Sequence, residues 1–389
     1  MIRMSFGYRA GRPAEVHHPR RGARAAALAL LAVLAVTPLL LARDGAAHKS
    51  GAFQLNPKTM RAVPQDSLIR DGESHFAHLW QITFGGENAE GYWSADGSQL
   101  IFQSTRDGYP CDQEFVMDMR TGATRRVSTG KGRCTCGYFY DNDQRILFSS
   151  THLAGDSCPP PPDYSHGYVW ALYPGYDIFT AKPDGSDLKR LTDHPGYDAE
   201  TTVSTDGKWL IFTSVRDGDV DLYKMHPDGS GLVRLTNEPG YDGGAFFSRD
   251  GKWICWRRDD LSDSTKLASF REDLAQSLVR PNEMNLWVMK SDGSGKRQVT
   301  KKPGASFAPY FTPDGKSLIY SSNWETPKGR NFDLYLISTK GGEPVPVTRD
   351  PTFDSFPMFS PDGGWLVFAS NRGAKVHGET NLFLAEWKR

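Results

Sequence analysis

Several things are scarce in this sequence, and each scarcity excludes something. Charge of one sign is not in excess: 46 Lys and Arg balance 46 Asp and Glu over 389 residues. There is therefore no basic face for nucleic acid, and none is expected as a partner. Long apolar runs are confined to residues 25–41, so no later segment spans a bilayer. Catalytic signatures are missing: there is no Gly-x-Ser-x-Gly elbow, no His-Glu-x-x-His and no phosphate loop. Cysteine is limited to five residues. What is plentiful is glycine (39), proline (25) and aromatics (12%), a composition of turn-rich β structure and not of a disordered chain.

The N-terminus has the order of a secretory signal. Arg3, Arg9, Arg12, Arg20, Arg21 and Arg24 precede the apolar run, and small residues suited to cleavage follow at Ala42 and Ala47. Residues 1–47 are read as a signal peptide, or as an N-terminal anchor if uncleaved, which would be the only membrane attachment. Pro38 and the shortness of the run favour cleavage. The expected location is periplasmic or secreted. Residues 48–77 fit no repeat and are read as a linker or cap.

From residue 78 onward one unit recurs. A turn leads into an apolar strand ending in an aromatic: Asp96-Gly97 before Leu100-Ile101-Phe102, Asp206-Gly207 before Leu210-Ile211-Phe212, and Asp250-Gly251 before Ile254-Cys255-Trp256. Asp314-Gly315 leads to Leu318-Ile319-Tyr320, and Asp362-Gly363 to Leu366-Val367-Phe368. A degenerate copy has Asn142-Asp143 before Ile146-Leu147-Phe148. Such turns tolerate the positive φ of a tight hairpin. A second signature follows each copy: Asp177-Ile178-Phe179, Asp221-Leu222-Tyr223, Asn285-Leu286-Trp287, Asp333-Leu334-Tyr335, Asn381-Leu382-Phe383 and the looser Glu114-Phe115-Val116. A third ends Leu191-Thr192, Leu235-Thr236 or Val299-Thr300. Each unit thus holds four short strands. Six such sheets around an axis bury their faces against each other and leave only short edges. The spacing predicts an all-β, six-bladed β-propeller over residues 78–389. The last unit stops after three strands, and residues 79–83 (Leu-Trp-Gln-Ile-Thr) match the missing fourth, so this N-terminal strand is expected to close the last blade.

The boxes Ser94-Ala95-Asp96-Gly97, Thr312-Pro313-Asp314-Gly315 and Ser360-Pro361-Asp362-Gly363, with Ser214-Val215-Arg216-Asp217-Gly218, Asp221-Leu222-Tyr223 and Leu235-Thr236, resemble the propeller repeats of the periplasmic TolB family. The resemblance implies a propeller that works by binding in the cell envelope. Residues 48–77 are too few for the α/β domain that precedes the TolB propeller.

Irregular sequence concentrates on one face of such a ring, and rigid scaffolds carry function on variable loops. The loop over residues 152–176 holds Pro159 to Pro162 and then Tyr164, His166, Tyr168, Trp170, Tyr173 and Tyr176, a composition suited to a contact surface or to rim packing. The loop over residues 257–283 predicts a helix over residues 266–279, with Leu267, Phe270, Leu274 and Leu278 on one face and Pro281 ending it. The blade crossings repeat Pro-Gly-Tyr-Asp. Tyr197, Asp198, Glu200, Tyr241, Asp242 and Asp354 are the candidate binding residues at the channel mouth, where acidic groups suit a cation or a basic peptide end; the alternative is that each Asp caps its own turn. Cys111, Cys134, Cys136 and Cys158 map to the loop-rich face, and export favours disulfides. Cys134 and Cys136 are too close to bridge each other easily, so two disulfides are expected, each joining one of them to Cys111 or Cys158. The alternatives are a metal site helped by His152 or His166, and free thiols. No cofactor is expected. The function these features predict is a monomeric exported scaffold binding a protein or peptide partner of the cell envelope, with a carbohydrate- or peptide-active hydrolase or lyase using acidic and His residues at the channel mouth as the alternative.

Overall fold

A computed structural model describes residues 53–388 apart from 260 and 262. Residues 1–47, read above as the signal, lie outside the described residues. Six antiparallel sheets form a β-propeller. Blade 1 runs Asn88–Trp93, Gln99–Ser104, Gln113–Asp118 and Thr124–Arg126 from the inside outward. Blades 2 to 5 have inner strands Cys134–Tyr140, Asp198–Val203, Asp242–Phe247 and Ser306–Phe311, each followed by three more strands. Blade 6 takes Asp354–Phe359, Trp365–Ser370 and Asn381–Trp387 from the end of the chain and Phe76–Gln81 from its beginning. The closure is in register, with Leu79 opposite Ala385, Trp80 opposite Leu384 and Gln81 opposite Phe383. A short outer strand, Val63–Pro64, pairs with Trp80 and Gln81 and covers that edge.

Three repeated interactions explain the repeated residues. In the turns, the hydroxyls of Ser94, Ser204, Ser248 and Thr312 donate to Asp96, Asp206, Asp250 and Asp314 at 2.8, 2.7, 2.6 and 2.7 Å. Gly97, Gly207, Gly251, Gly315 and Gly363 take φ between 67° and 74°, where a Cβ is costly. Within each blade, the aromatics of the second and third strands face one another: Phe102 and Phe115, Phe148 and Phe179, Phe212 and Tyr223, Trp256 and Trp287, Tyr320 and Tyr335, Phe368 and Phe383. Each such pair contributes about 0.5–1.5 kcal/mol beyond its burial. In the outer strand, Thr192, Thr236, Thr300 and Thr348 accept from the backbone N–H of Ile178, Leu222, Leu286 and Leu334 at 2.8–2.9 Å. Thr83 does the same for Leu382 at 2.8 Å, so the closing strand performs the chemistry of an ordinary outer strand although it is separated from its blade by the whole ring.

The expected helix is shorter than its apolar spacing suggested. It spans Ser264–Leu274, with the Asp263 side chain accepting from the Thr265 N–H at its start. Phe270 is buried and Leu274 half-buried against the ring. Residues Leu278–Val279 instead pair with Trp170–Ala171. Ser277, at φ 59°, turns the chain out of the helix before Leu278. Among the described residues, no helix is long and apolar enough to cross a membrane.

Candidate functional site: the channel mouth and its roof

Every inner strand carries a bulge at the same place, between Ala89 and Tyr92, Thr135 and Tyr138, Ala199 and Thr202, Gly243 and Phe246, Phe307 and Tyr310, and Ser355 and Met358. In each, one residue adopts positive φ: Glu90, Cys136, Glu200, Gly244, Ala308 and Phe356. For a residue with a Cβ this conformation costs on the order of 1 kcal/mol or more. A bulge re-aims a side chain, and these turn Glu90, Cys136 and Glu200 toward one another. The residues just beyond the bulges close the channel: Tyr92 and Tyr138 lie 5.8 Å apart, Phe246 is 5.5 Å from Tyr92, and Tyr310 is 5.4 Å from Phe246.

Above this plug lies a charged cluster. Glu200 accepts from Thr213 Oγ1 at 2.7 Å, from the Gly244 N–H at 3.0 Å and from the Tyr241 hydroxyl at 2.7 and 2.9 Å. It also forms an ion pair with the buried Arg257. Gly244 makes room for that arginine, since a Cβ there would collide with Arg257 Nη1. Arg257 stays protonated: burial opposes its charge, but Glu200 and Tyr241 beside it raise its pKa. Among the described residues Glu90 forms no ion pair. Burial, with Glu200 adding repulsion, pushes its carboxyl up to about 7, opposed by a hydrogen bond to Cys136, and its Oε2 is buried without a hydrogen bond. Glu114 next to it is fully buried and held well above the usual carboxylate range by burial and by Glu90.

The long loops roof this cluster. Trp170 comes from blade 2, yet its ring lies 5.9 Å from Tyr241 of blade 4 and 6.3 Å from Phe307 at the start of blade 5. Arg257 sits 4.9 Å from the centre of the Trp170 ring, a cation–π contact. Phe332, Phe353 and Phe356 continue the roof around Phe307. The loop is braced at both ends. Cys158 is bonded to Cys111, Trp170–Ala171 pairs with Leu278–Val279, and Arg280 donates to the carbonyl of His166 at 2.8 Å. Tyr173 donates to the carbonyl of Pro160 at 3.0 Å. Tyr164 and Tyr168 are left on the outside, stacked 6.1 Å apart and 52% and 53% exposed.

The channel-mouth candidates therefore divide. Glu200 and Tyr241 belong to the cluster. Tyr197 is buried against Tyr176 at 5.7 Å. Asp198, Asp242 and Asp354 do not ring the mouth: they open the inner strands and are buried inside their own blades. Asp198 accepts both Arg216 hydrogen bonds (3.0 and 2.9 Å) and Asp354 accepts from Arg372 at 2.7 Å. Asp242 accepts from Trp256 Nε1 at 2.5 Å. Each faces a residue at or next to the end of the second strand, Ser214, Arg258 or Ser370, so an arginine of the same hairpin lies close to it. Sequence reasoning passed over Glu90 and Arg257. The signal for Glu90 was present, because it stands at the same inner-strand position as Glu200.

The expected pairing of cysteines is also corrected. Cys111 and Cys158 bond to each other, and Cys134 and Cys136 remain buried thiols. Cys134 lies against Ser150 Oγ at 3.3 Å and Cys136 against Thr135 Oγ1 at 3.2 Å, both in an inner strand facing the blade interior and the channel. Among the described residues no group of three or more His, Cys, Asp or Glu is arranged to hold a metal ion.

Comparison with known proteins agrees with this architecture. Residues 271–379 match the family model described as the TolB beta propeller domain. TolB from Acinetobacter baumannii superposes with a TM-score of 0.52 at 17% identity, covering 75% of this chain and 63% of that one. This chain thus spans less than two thirds of that protein's length. A gluconolactonase from Xanthomonas campestris gives a TM-score of 0.53 at 13% identity, covering 86% and 99%. An oligogalacturonate lyase from Vibrio parahaemolyticus gives 0.50 at 12%, covering 86% and 97%. At these identities the likeness is one of fold. In-phase turns, six bladed sheets and a ring closed by the N-terminal strand make this chain a six-bladed β-propeller, similar in fold to TolB and matched over residues 271–379 by the TolB propeller model.

Proposed function

We propose that this chain is an exported scaffold that holds a protein or peptide partner on its loop-rich face. The observation that carries this reading is the braced loop over residues 152–176. Its ends are tied by the Cys111–Cys158 disulfide and by the Trp170–Ala171 ribbon, and it presents the stacked Tyr164 and Tyr168 to solvent. Pre-ordered aromatics lose little entropy on binding, which is where affinity is gained. The disulfide supports an oxidising compartment. The test is capture of a partner from envelope extract by the wild type and by Tyr164→Ser/Tyr168→Ser. Loss of capture with an unchanged melting temperature supports the reading, and undiminished capture by the variant sinks it.

A second reading has its own observation. A carboxyl pushed up to about 7, Glu90, beside the Glu200–Arg257 pair has the proton affinity of a general acid or base near neutral pH. Catalysis on a glycan or peptide would use Glu90. Turnover of a substrate library that survives Glu90→Gln would remove this reading.

A further inference from the structure

Two blades share a carboxylate–arginine pair between their third and outer strands, and blade 5 keeps only half of it. The third strand of each blade begins with a polar residue two positions before its aromatic, and the outer strand places a partner opposite that aromatic. In blade 2, Asp177 takes Arg190 at 2.7 Å, with Arg190 in register with Phe179. In blade 3, Asp221 takes Arg234 at 2.6 Å, with Arg234 in register with Tyr223. Blade 4 substitutes the neutral Asn285 and Gln298, and blade 6 substitutes Asn381 and Gln81. Blade 1 has the neutral Gln113 with Arg126 in register with Phe115, so a carboxylate here meets an arginine in blades 2 and 3. Blade 5 keeps the charge, Asp333, but the residue in register with Tyr335 is Pro346. The carboxylate has kept its place and the guanidinium is gone.

A cavity of about 200 Å³ stands there, lined among others by Glu325, Asn331, Asp333, Pro346, Arg349 and Asp350. The charges around it are mostly engaged elsewhere. Asp350 is paired with Arg70 at 2.8 Å, and the Arg349 guanidinium lies against Gly72. Asp333 receives long hydrogen bonds from Asn331 Nδ2 (3.2 Å) and Thr348 Oγ1 (3.3 Å), and has no ion-pair partner among the described residues. Asn331 Oδ1 is buried with no hydrogen bond. The Asp333 carboxylate thus borders an open space whose counterparts in two sister blades hold an arginine side chain.

We propose that this cavity binds a guanidinium group supplied from outside the chain, of the kind an arginine side chain of a peptide presents, seated where Arg190 and Arg234 sit in blades 2 and 3. A guanidinium offers five N–H donors in a planar fork and no acceptor, which suits a cavity lined by the carboxylates of Glu325, Asp333 and Asp350. Asp350 and Pro351 belong to a blade crossing, so the cavity opens on the loop-rich face. Its biological use as a peptide subsite rests on the function proposed above, but the test does not. The full chain is titrated calorimetrically with agmatine and with its ureido isostere N-carbamoylputrescine, which keeps the ammonium and replaces the guanidinium by a neutral urea. Isolated guanidinium sites bind weakly, so a dissociation constant on the order of 1 mM is expected, with the ureido analogue at least tenfold weaker. Pro346→Arg restores the blade 2 pattern and should fill the cavity from within, weakening agmatine at least tenfold while leaving the fold intact; Asp333→Asn should do likewise. Binding should also weaken as pH falls below about 7, because burial and the neighbouring Asp354 and Glu325 raise the Asp333 carboxyl to about 7, opposed by Arg372. No measurable heat with wild type at millimolar agmatine, equal affinity for the ureido analogue, or equal affinity of Pro346→Arg and wild type would each overturn the proposal. Undiminished partner capture by the tyrosine variant, with agmatine still bound, would count against the protein-scaffold reading alone.

Discussion

Replacing Arg372 by methionine should weaken the ring at its seam. Arg372 is fully buried, and both of its carboxylate partners, Glu73 and Asp354, are fully buried at the side chain. Glu73 comes from the segment before the closing strand. It also accepts from the backbone N–H of Arg70 at 2.8 Å and of Arg349 at 2.9 Å. One arginine thus ties the beginning of the chain to blade 6, and its plane lies 5.2 Å from the centre of the Phe368 ring. Methionine fills much of the volume but leaves two carboxylates in a dry site. Breaking a buried pair from one side costs about 3–5 kcal/mol. At about 2 °C per kcal/mol for a domain of this size, the lower end of the usual range, the melting temperature should fall by roughly 6–10 °C. The pH dependence identifies the cause. Burial already raises the Asp354 carboxyl, and Arg372 opposes that rise. Without the arginine the folded-state pKa rises further above the unfolded value, so the loss is greatest at high pH and shrinks as pH falls and the carboxyls protonate. Scanning calorimetry of wild type and Arg372→Met at pH 5 and pH 8 measures both. A loss below about 1 kcal/mol, or one equal at the two pH values, would refute the argument from buried unpaired charge.

Thr83→Val removes the hydroxyl that accepts from the Leu382 N–H and donates to Asn381; it should cost about 1–2 kcal/mol, and Thr236→Val a similar amount, as chemical denaturation would show. Intact mass before and after reduction should shift by two protons for the one bond Cys111–Cys158. Cys111→Ser/Cys158→Ser, which opens a loop spanning 47 residues, should lose about 4 kcal/mol by loop entropy. Glu90→Gln should raise stability at pH 8 and change it little at pH 5. The wild-type carboxyl, pushed up to about 7, resists ionising in the fold, so stability is lost as pH rises from the ordinary carboxylate range through 7, by on the order of 3 kcal/mol. Denaturation midpoints that move in parallel for both forms across this range would contradict it.

The repeat was legible because its residues serve local geometry. Asp-Gly turns, cross-strand aromatics and the outer-strand threonine recur at set spacings, since every blade solves the same problem with neighbours close in sequence. Ring closure was legible for the same reason, as Leu79 to Thr83 carry the outer-strand pattern. The channel was harder. Asp198, Asp242 and Asp354 drew attention as acidic repeats, but each lies beside an arginine or tryptophan of its own hairpin. The helix was expected over residues 266–279 from its apolar spacing and spans Ser264–Leu274: it starts earlier because Asp263 caps it, and ends earlier because the Leu278–Val279 ribbon depends on a loop from another blade.

The sequence by itself determined six blades and the strand that closes them, because hydrophobic period, turn chemistry and hydroxyl–backbone bonds act within a few residues. Only the tertiary structure decided which carboxylates meet. The bulges of three different blades aim Glu90, Cys136 and Glu200 into one volume, a glycine in a fourth admits Arg257, and Trp170 crosses the mouth to cover them. Those meetings depend on distances across the ring, which no spacing along the chain encodes.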